Sequence, residues 1–514
     1  MDRYFDTDHL QTRLKTLALR GGAVTMATQT MSFAFTLGAT AILARLLTPA
    51  DYGLIAMVTV IVGFMTMFKD FGLSMATVQR AELTQPQVST LFWLNTALGL
   101  SLSILAVGLA PALAWFYSES RLVPLTIFLA STFMISGLGV QHQALLRRQM
   151  RYGVLAAIEI LALICGIVLA IATAMRGGQY WALAIQTVTS TTFRTLGYWI
   201  LCRWRPSLPR RRADIGSMLA FGGNLAASNV VNYATRNFDQ VLIGRVWGDS
   251  ELGAYERASR LLQMPLRLIN TPISHVAIPI LCRLQHDSSR YREYYLKALY
   301  SLAFIVMPGM AFITVMAGDL VSVLMGDQWA EAGTIFGVLG ILGLILPVSN
   351  TNGWHFIASG TTNRMLRWSM IDGAVIVVAF LIGVPYGGLG VAVAFVAARM
   401  VLFVPGIWYA TQTVPVDVSD VLRRIRVPLL SSLAVIVVLR ISRQTILPGV
   451  EVGPRLVVAF AIAAFAYLFF ACVICRSFSP LTDLPRLILA VFRTRAPNAD
   501  DVQSSDAGSS ESSV

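Results

Sequence analysis

The chain has 514 residues, of which 56% are hydrophobic and only 13% are charged, and its mean hydropathy is +0.66. Soluble domains carry about 25% charged residues, so this composition excludes a water-soluble globule and indicates a protein that crosses a membrane many times. The formal net charge of +13 would suit either nucleic acid or a membrane surface, and its distribution along the chain decides between them.

Apolar runs recur along the whole chain, each near the roughly 20 residues that a helix needs to cross a bilayer. They do not alternate with period two, as the strands of a membrane barrel would, so the spans are predicted to be helices. The segment Gly318–Trp329 is too short to span and is predicted to be a connector. Fourteen spans are predicted, at residues 21–44, 52–79, 87–116, 122–145, 153–175, 180–202, 215–244, 252–282, 294–316, 330–357, 368–384, 387–411, 427–446 and 456–475.

Positive charge is distributed unevenly between the connections on the two sides of these spans. With the N-terminus placed in the cytoplasm, 25 lysines and arginines fall on the cytoplasmic side and 7 on the other. Cytoplasmic connections are the ones that carry such an excess. The bias therefore predicts an inner-membrane protein with both termini in the cytoplasm, and it explains the basic charge without nucleic acid.

The chain contains an internal repeat at an offset of 200 residues. Ala44–Gly53 reads A-R-L-L-T-P-A-D-Y-G and Gly244–Gly253 reads G-R-V-W-G-D-S-E-L-G, and both sit where a pair of spans turns outside the membrane. An even number of spans separates the copies, which predicts two parallel six-helix bundles, an architecture found in transporters. The predicted domains are a cytoplasmic N-terminus at 1–20, an N-terminal bundle at 21–202, a basic cytoplasmic linker at 203–214, a C-terminal bundle at 215–411, helices 13 and 14 at 427–475, and a partly disordered cytoplasmic tail at 476–514.

Motifs of soluble and membrane enzymes are missing from the sequence. None of the three lysines stands in a G-K-[ST] context, and neither H-E-x-x-H nor G-x-S-x-G occurs. The five cysteines lie in or at the ends of apolar runs, so they predict neither disulfides nor a metal site. We therefore expect a protein without catalytic residues, cofactors or metals.

Ionisable residues inside the spans are the informative ones, because each costs on the order of 3 kcal/mol to insert and such groups usually face a bundle interior or water. Guanidinium groups bind phosphate bidentately and stay charged. The alternative for each arginine is a snorkel to the interface or an internal ion pair. The candidates for lining a substrate path are Arg194, Arg236, Arg257, Arg260, Arg267 and Arg399. The candidate coupling carboxylates, which could carry a proton whose movement is coupled to transport, are Asp70, Asp239 and Glu159.

Five segments resemble the polysaccharide transporter family of the multidrug/oligosaccharidyl-lipid/polysaccharide flippase superfamily. These segments are Gly38–Met57, Phe68–Gln79, Asn237–Arg245, Leu252–Pro265 and Gly326–Trp329. The likeness is greatest to the branch that contains the colanic acid exporter and related exopolysaccharide flippases. It implies an alternating-access flippase of about fourteen helices, with a basic lumen for undecaprenyl-pyrophosphate-linked oligosaccharides.

The expected function is therefore export of a lipid-linked anionic oligosaccharide for exopolysaccharide, capsule or O-antigen synthesis. The expected partners are the lipid-linked substrate, membrane lipid, and a polysaccharide polymerase with its chain-length regulator. One alternative is a drug/cation antiporter of the same superfamily, which predicts an acidic cavity. Another is a membrane sugar polymerase, which predicts a large outer loop with catalytic Arg or His.

Overall fold

The computed structural model describes residues 14–69, 74, 77–78, 83–208 and 216–475. These residues form α-helices joined by short connections and 3₁₀ turns, and no strand occurs among them. The helices are α1 (Leu14–Leu46), α2 (Pro49–Thr66), α3 (Gln85–Tyr117), α4 (Leu122–Gly137), α5 (Val140–Arg148), α6 (Tyr152–Met175), α7 (Trp181–Cys202), α8 (Gly216–Arg283), α9 (Ser288–Met325), α10 (Ala330–Gly340), α11 (Leu346–Ala358), α12 (Thr362–Gly383), α13 (Gly387–Thr411), α14 (Val418–Thr445) and α15 (Val452–Cys475).

Membrane-spanning character is clear in the described part of the chain. Seven helical stretches there are long and apolar enough to cross a bilayer, or up to nine if each of two bent pairs counts as one span. Large apolar side chains point outward, such as Trp115 at 82% and Phe465 at 74% exposure, and such surfaces need lipid rather than water. The all-helical membrane fold is as predicted from the sequence, whereas the number of fourteen spans stays a prediction.

The structure differs from the predicted elements in three places. The predicted connector Gly318–Trp329 is wrong for its first part, because α9 continues to Met325 before a 3₁₀ turn at Asp327–Trp329. The predicted continuous spans 122–145 and 330–357 are each bent, by 41° between α4 and α5 and by 48° before α11. The count of apolar residues alone does not reveal such bends, although Gly137 and Gly139 stand at the first and Pro347 at the second, and glycine and proline are residues at which helices kink.

Local sequence explains where the helices of the first hairpin begin and end. Thr48 caps α2: its backbone N–H donates to the Asp51 carboxylate at 2.9 Å, and the Asp51 N–H donates to the Thr48 hydroxyl at 3.4 Å. Pro49 follows at the first helical position, where its missing N–H costs nothing. In α8, Gly248 has φ +84° and ψ −163°, a conformation that favours glycine, and it breaks the helix between predicted spans 215–244 and 252–282.

The described helices belong to two compact units of the chain. The first comprises Met1–Leu261, Ala317–Leu339 and Ser369–Arg399, and the second comprises Leu262–Met316, Gly340–Trp368 and Met400–Val514. In the first unit α3 packs along α4, and α6 packs along both α7 and α1. The predicted bundles 21–202 and 215–411 are a different division of the chain and stay a prediction.

Small residues allow close helix packing in the first unit. A Cβ on Gly137 of α4 would lie 2.8 Å from the Asn95 carbonyl oxygen of α3, and Gly99 of α3 faces the same contact. Such pairs let backbones approach where no hydrophobic effect drives association. Trp204, which follows α7, is nearly fully buried among residues of α3, α5, α6 and α7. Its indole N–H donates to the Gln85 side-chain oxygen at 2.7 Å.

The second unit is held by aromatic and polar contacts among α9, α11, α14 and α15. The Tyr295 hydroxyl meets the Thr351 hydroxyl at 2.9 Å, and the Tyr467 hydroxyl donates to the Phe304 carbonyl at 3.0 Å. Asp420, in the first turn of α14, pairs with Arg292 of α9, whose Nε donates to it at 2.8 Å. These contacts join α9 to α11, α14 and α15 within this unit.

Candidate functional site

A polar cavity of about 320 Å³ lies within the first unit. Its volume is at the lower end of the range for small-molecule sites, about 300–1,000 Å³. Residues of α1, α2, α7 and α8 form its walls. Its polar uncharged lining consists of Thr36, Thr40, Tyr52, Thr59, Gln186, Thr187, Tyr233, Asn237 and Gln240.

Three charged residues of α8 line this cavity and form one ion-paired group. The Arg257 Nε lies 2.5 Å from one carboxylate oxygen of Glu256, and an Arg260 terminal nitrogen lies 2.8 Å from the other. We name Glu256, Arg257 and Arg260 the cavity triad. Because it holds two guanidinium groups and one carboxylate, its formal charge is +1.

The two arginines of the cavity triad differ in exposure. The Arg257 side chain is 9% exposed, and its guanidinium carbon lies 4.4 Å from the centre of the Tyr52 ring, a cation–π contact. The Arg260 side chain is 53% exposed. Arg257 is therefore fixed between a carboxylate and a ring, whereas Arg260 presents donors to the cavity.

The turns of the two repeat copies pack against each other in the first unit. A Cβ on Gly53 would overlap the Asp249 carbonyl and lie 2.8 Å from the Asp249 Cα, and a Cβ on Gly253 would overlap the Pro49 carbonyl. The contact is reciprocal, since Pro49 and Asp249 are themselves 200 residues apart. We name the turns Pro49–Gly53 and Asp249–Gly253 the hairpin hub.

The segment G-D-Q-W binds to the end of α1 next to the hairpin hub. The Gln328 amide and the Trp329 indole N–H both donate to the Ala44 carbonyl oxygen, at 2.6 and 2.8 Å. Trp329 is fully buried, and its ring lies edge-on to Tyr52 with 5.2 Å between centres. These donors satisfy a backbone carbonyl in the last turn of α1, where carbonyl groups have no intrahelical partner.

Further contacts link the hub to other helices of the first unit. Arg121, in the connection before α4, pairs with Asp249 at 2.9 Å and with Glu119 at 2.8 Å. The Gly388 N–H of α13 donates to the Glu251 carboxylate at 2.6 Å. Three of the five segments that carry the family resemblance thus meet at or next to the hub, which gives them a structural role.

Asp239 is buried on α8 beside the residues that line the cavity. Its carboxylate accepts hydrogen bonds from the Tyr255 hydroxyl at 2.7 Å and from the Gln240 N–H at 2.9 Å. Asp239 is 8% exposed and Tyr255 is 1% exposed. Arg236, another candidate on α8, has a side chain that lies outside the described ones.

The remaining predicted site residues lie elsewhere. Arg194 of α7 pairs with Glu159 of α6 at 3.0 Å, and Arg399 of α13 pairs with Asp372 of α12 at 2.8 Å. Both pairs correspond to the alternative of an internal ion pair. Arg267, in the second unit, is exposed and donates to Gln263 one turn earlier at 2.6 Å. Asp70 lies outside the described residues.

Of the predicted arginines, the structure places Arg257 and Arg260 together in one cavity. Sequence reasoning missed Glu256, although it precedes Arg257 directly and stands four residues before Arg260, the spacing at which helical side chains meet. It also missed Tyr52 and the amides, which no sequence pattern distinguishes from other polar residues of a span. Within the described residues, no group of three or more His, Cys, Asp and Glu could hold a metal ion.

Several curated proteins similar to this chain are named for bacterial polysaccharide synthesis. The chain is 29% identical over 414 residues to the teichuronic acid biosynthesis protein TuaB of Bacillus subtilis, covering 79% of this chain and 85% of TuaB. It is 24% identical over 367 residues to the lipopolysaccharide biosynthesis protein WzxC of Escherichia coli, covering 70% and 74%. It is 25% identical over 349 residues to the succinoglycan biosynthesis transport protein ExoT of Rhizobium meliloti, covering 65% and 71%.

Solved structures with a similar fold are transport proteins. The lipid II flippase MurJ in an inward closed conformation matches with a TM-score of 0.70 and 14% identity, over 88% of this chain and 98% of MurJ. An inward-facing multidrug resistance transporter of the MATE family matches with a TM-score of 0.59 and 14% identity, over 76% and 96%. The chain thus shares the fold of these transport proteins, as the resemblance implied.

One family description matches more than half of the chain. The family described as "Polysaccharide biosynthesis protein" covers residues 42–334. This range includes the hairpin hub and the cavity triad. The resemblance drawn from the motifs is confirmed, and the chain belongs to this family of polysaccharide biosynthesis membrane proteins.

Proposed function

We propose that this protein is a flippase that moves undecaprenyl-pyrophosphate-linked oligosaccharide repeat units across the bacterial inner membrane by alternating access. The product would serve exopolysaccharide, capsule or O-antigen synthesis. The observation that carries the proposal is the polar cavity with two arginines in a chain otherwise suited to lipid. Guanidinium groups match the oxygens of a pyrophosphate, and the uncharged amides and threonines suit sugar hydroxyls.

The names of the relatives support the same class of substrate. TuaB, WzxC and ExoT take their names from teichuronic acid, lipopolysaccharide and succinoglycan synthesis, and ExoT is named as a transport protein. A transport role, rather than an enzymatic one, agrees with the transporter fold. The polymerase and chain-length regulator stay proposed partners.

The cavity's charge argues against a drug/cation antiporter. Its charged lining consists of Arg257, Arg260 and Glu256, with a formal charge of +1. A site for cationic drugs needs an excess of carboxylates, because like charges repel an incoming cation. An anionic substrate is the better fit.

Export of an anionic lipid also agrees with membrane energetics. A pyrophosphate carrying about two negative charges gains roughly 4.6 kcal/mol when it moves outward across 100 mV, inside negative. We propose that both termini are cytoplasmic, on the charge bias of the connections. Asp70, Asp239 and Glu159 stay candidate coupling carboxylates, and Arg194, Arg236, Arg267 and Arg399 stay candidate path residues.

The proposal is tested in a deletion strain that is complemented with variants of the full chain. Deletion should remove surface polymer and leave lipid-linked repeat units in the inner leaflet. R257Q and R260Q should fail to restore polymer while reaching the membrane at normal levels. R176Q is the matched control, since Arg176 is an exposed arginine at the end of α6. Normal polymer and normal lipid intermediates in the deletion strain would sink the proposal.

A further inference from the structure

The cavity triad contains a carboxylate that an anion-binding site does not need. Glu256 is 7% exposed and meets both arginines, each through a different oxygen. Burying a carboxylate is costly unless it is paired, and here the pairing uses the same donors that a phosphate would use. Glu256 and a bound phosphate would therefore need the same donors. The inference drawn from this rests on the proposed function.

We propose that Glu256 is an internal counter-anion, whose bond to Arg260 is displaced by the pyrophosphate group of the substrate. Arg257 keeps its contact with Glu256, because its guanidinium is also held over the Tyr52 ring at 4.4 Å. Arg260 releases Glu256, because 53% of its side chain is exposed and its link to Glu256 joins residues on adjacent turns of the same helix. Binding thus exchanges one carboxylate for another anion at Arg260.

This exchange sets the affinity of the site at an intermediate level. Two arginines without a counter-anion would present a charge of +2 to a pyrophosphate, bind it tightly and release it slowly. With Glu256 present, the substrate must displace a charge-assisted hydrogen bond, and the same carboxylate replaces the substrate when it leaves. Since affinity is tuned mainly through the dissociation rate, Glu256 favours release of the substrate.

Affinity for inorganic pyrophosphate measures the exchange directly, with the full-length protein in phosphatidylcholine nanodiscs. E256Q should bind pyrophosphate about 5- to 10-fold more tightly than the natural protein, because one competing charge-assisted bond is removed. R260Q should bind about 10-fold or more weakly, and E256Q/R260Q should bind as weakly as R260Q. R176Q and E293Q, which change exposed residues, should stay within about twofold.

A second variant separates direct competition from general electrostatics and covers the case in which E256Q does not fold. E256D keeps the negative charge but shortens the side chain by one methylene, so its carboxylate holds Arg260 less well. Direct competition predicts tighter pyrophosphate binding in E256D, whereas a purely electrostatic effect predicts no change. Unchanged or weaker binding in either variant that folds overturns the inference.

The same binding measurements distinguish a pyrophosphate from the phosphate of a membrane lipid. They also distinguish failure of this inference from failure of the proposed function. If phosphatidylglycerol added to the nanodiscs competes with pyrophosphate at the natural triad, the triad binds membrane lipid and the inference is overturned. If the natural protein binds no pyrophosphate at all, the proposed function fails together with the inference. If R260Q weakens binding but the Glu256 variants change nothing, the inference alone fails.

Discussion

Replacing Gly53 by alanine tests the reciprocal packing of the hairpin hub. The new Cβ would lie 2.8 Å from the Asp249 Cα and would overlap its carbonyl. Non-bonded carbons keep about 3.5–4.0 Å apart, so the two turns must separate by about 1 Å or more. Overpacking of this kind costs about 1–3 kcal/mol.

The matched control is Gly38→Ala in α1, where an added Cβ meets nothing within 4 Å. Both changes gain helix propensity, about 1 kcal/mol in a helix interior, so their difference isolates the clash. Thermal unfolding of the purified chain in nanodiscs, followed by tryptophan fluorescence, should show G53A melting below the natural protein and G38A at or above it.

The reciprocal geometry makes a stricter test with a double variant. Gly253→Ala presses on the Pro49 carbonyl in the same interface, so the turns need to separate once for both changes. G53A/G253A should therefore destabilise by clearly less than the sum of the single variants. Equal melting temperatures for G53A and G38A, or strict additivity of the two hub changes, would refute the reasoning.

Two further predictions concern buried and exposed carboxylates. Y255F removes the hydroxyl that donates to buried Asp239 at 2.7 Å, and it should lower the free energy of unfolding by about 1–3 kcal/mol. The control Y386F changes a tyrosine that is 77% exposed and should be near neutral. Equal melting temperatures of the two variants would contradict this prediction. The Arg121 guanidinium lowers the pKa of the Glu119 carboxyl below its usual value, so Glu119 stabilises the fold at neutral pH and loses this contribution as the pH falls through the lowered pKa. At this solvated site the natural protein and E119Q should differ in free energy of unfolding by no more than about 1 kcal/mol at neutral pH. The difference in melting temperature that follows from it should narrow on acidification. A constant difference from pH 7 to pH 3.5 would exclude the effect.

The helical membrane fold was predictable because an apolar run of sufficient length indicates a membrane span. The bends before α5 and α11 were not, because a run of apolar residues gives the length of a span but not its course, and the glycine and proline at these bends also occur in unbent helices. The repeat also emerged from sequence, since Gly53 and Gly253 occupy equal positions. Their mutual contact could only be seen once the turns were placed in space.

The candidate site was predictable in part for a similar reason. Arginines in spans are rare enough to attract attention, which found Arg257 and Arg260. Four of the predicted arginines pair with a carboxylate, and whether an ion-paired arginine also lines the cavity depends on tertiary packing, which separates Arg257 and Arg260 from Arg194 and Arg399. Uncharged lining residues give still less signal: Thr40, for example, donates to the Thr36 carbonyl of its own helix at 2.8 Å, as threonines do in any span.

The hairpin hub also constrains how this gene can change. Duplicated segments ordinarily drift apart, because each copy tolerates its own substitutions. Here each copy's glycine faces the other copy's backbone, so a side chain gained in one turn displaces a turn encoded 200 codons away. A substitution in one turn therefore has to be compatible with the backbone of the other turn.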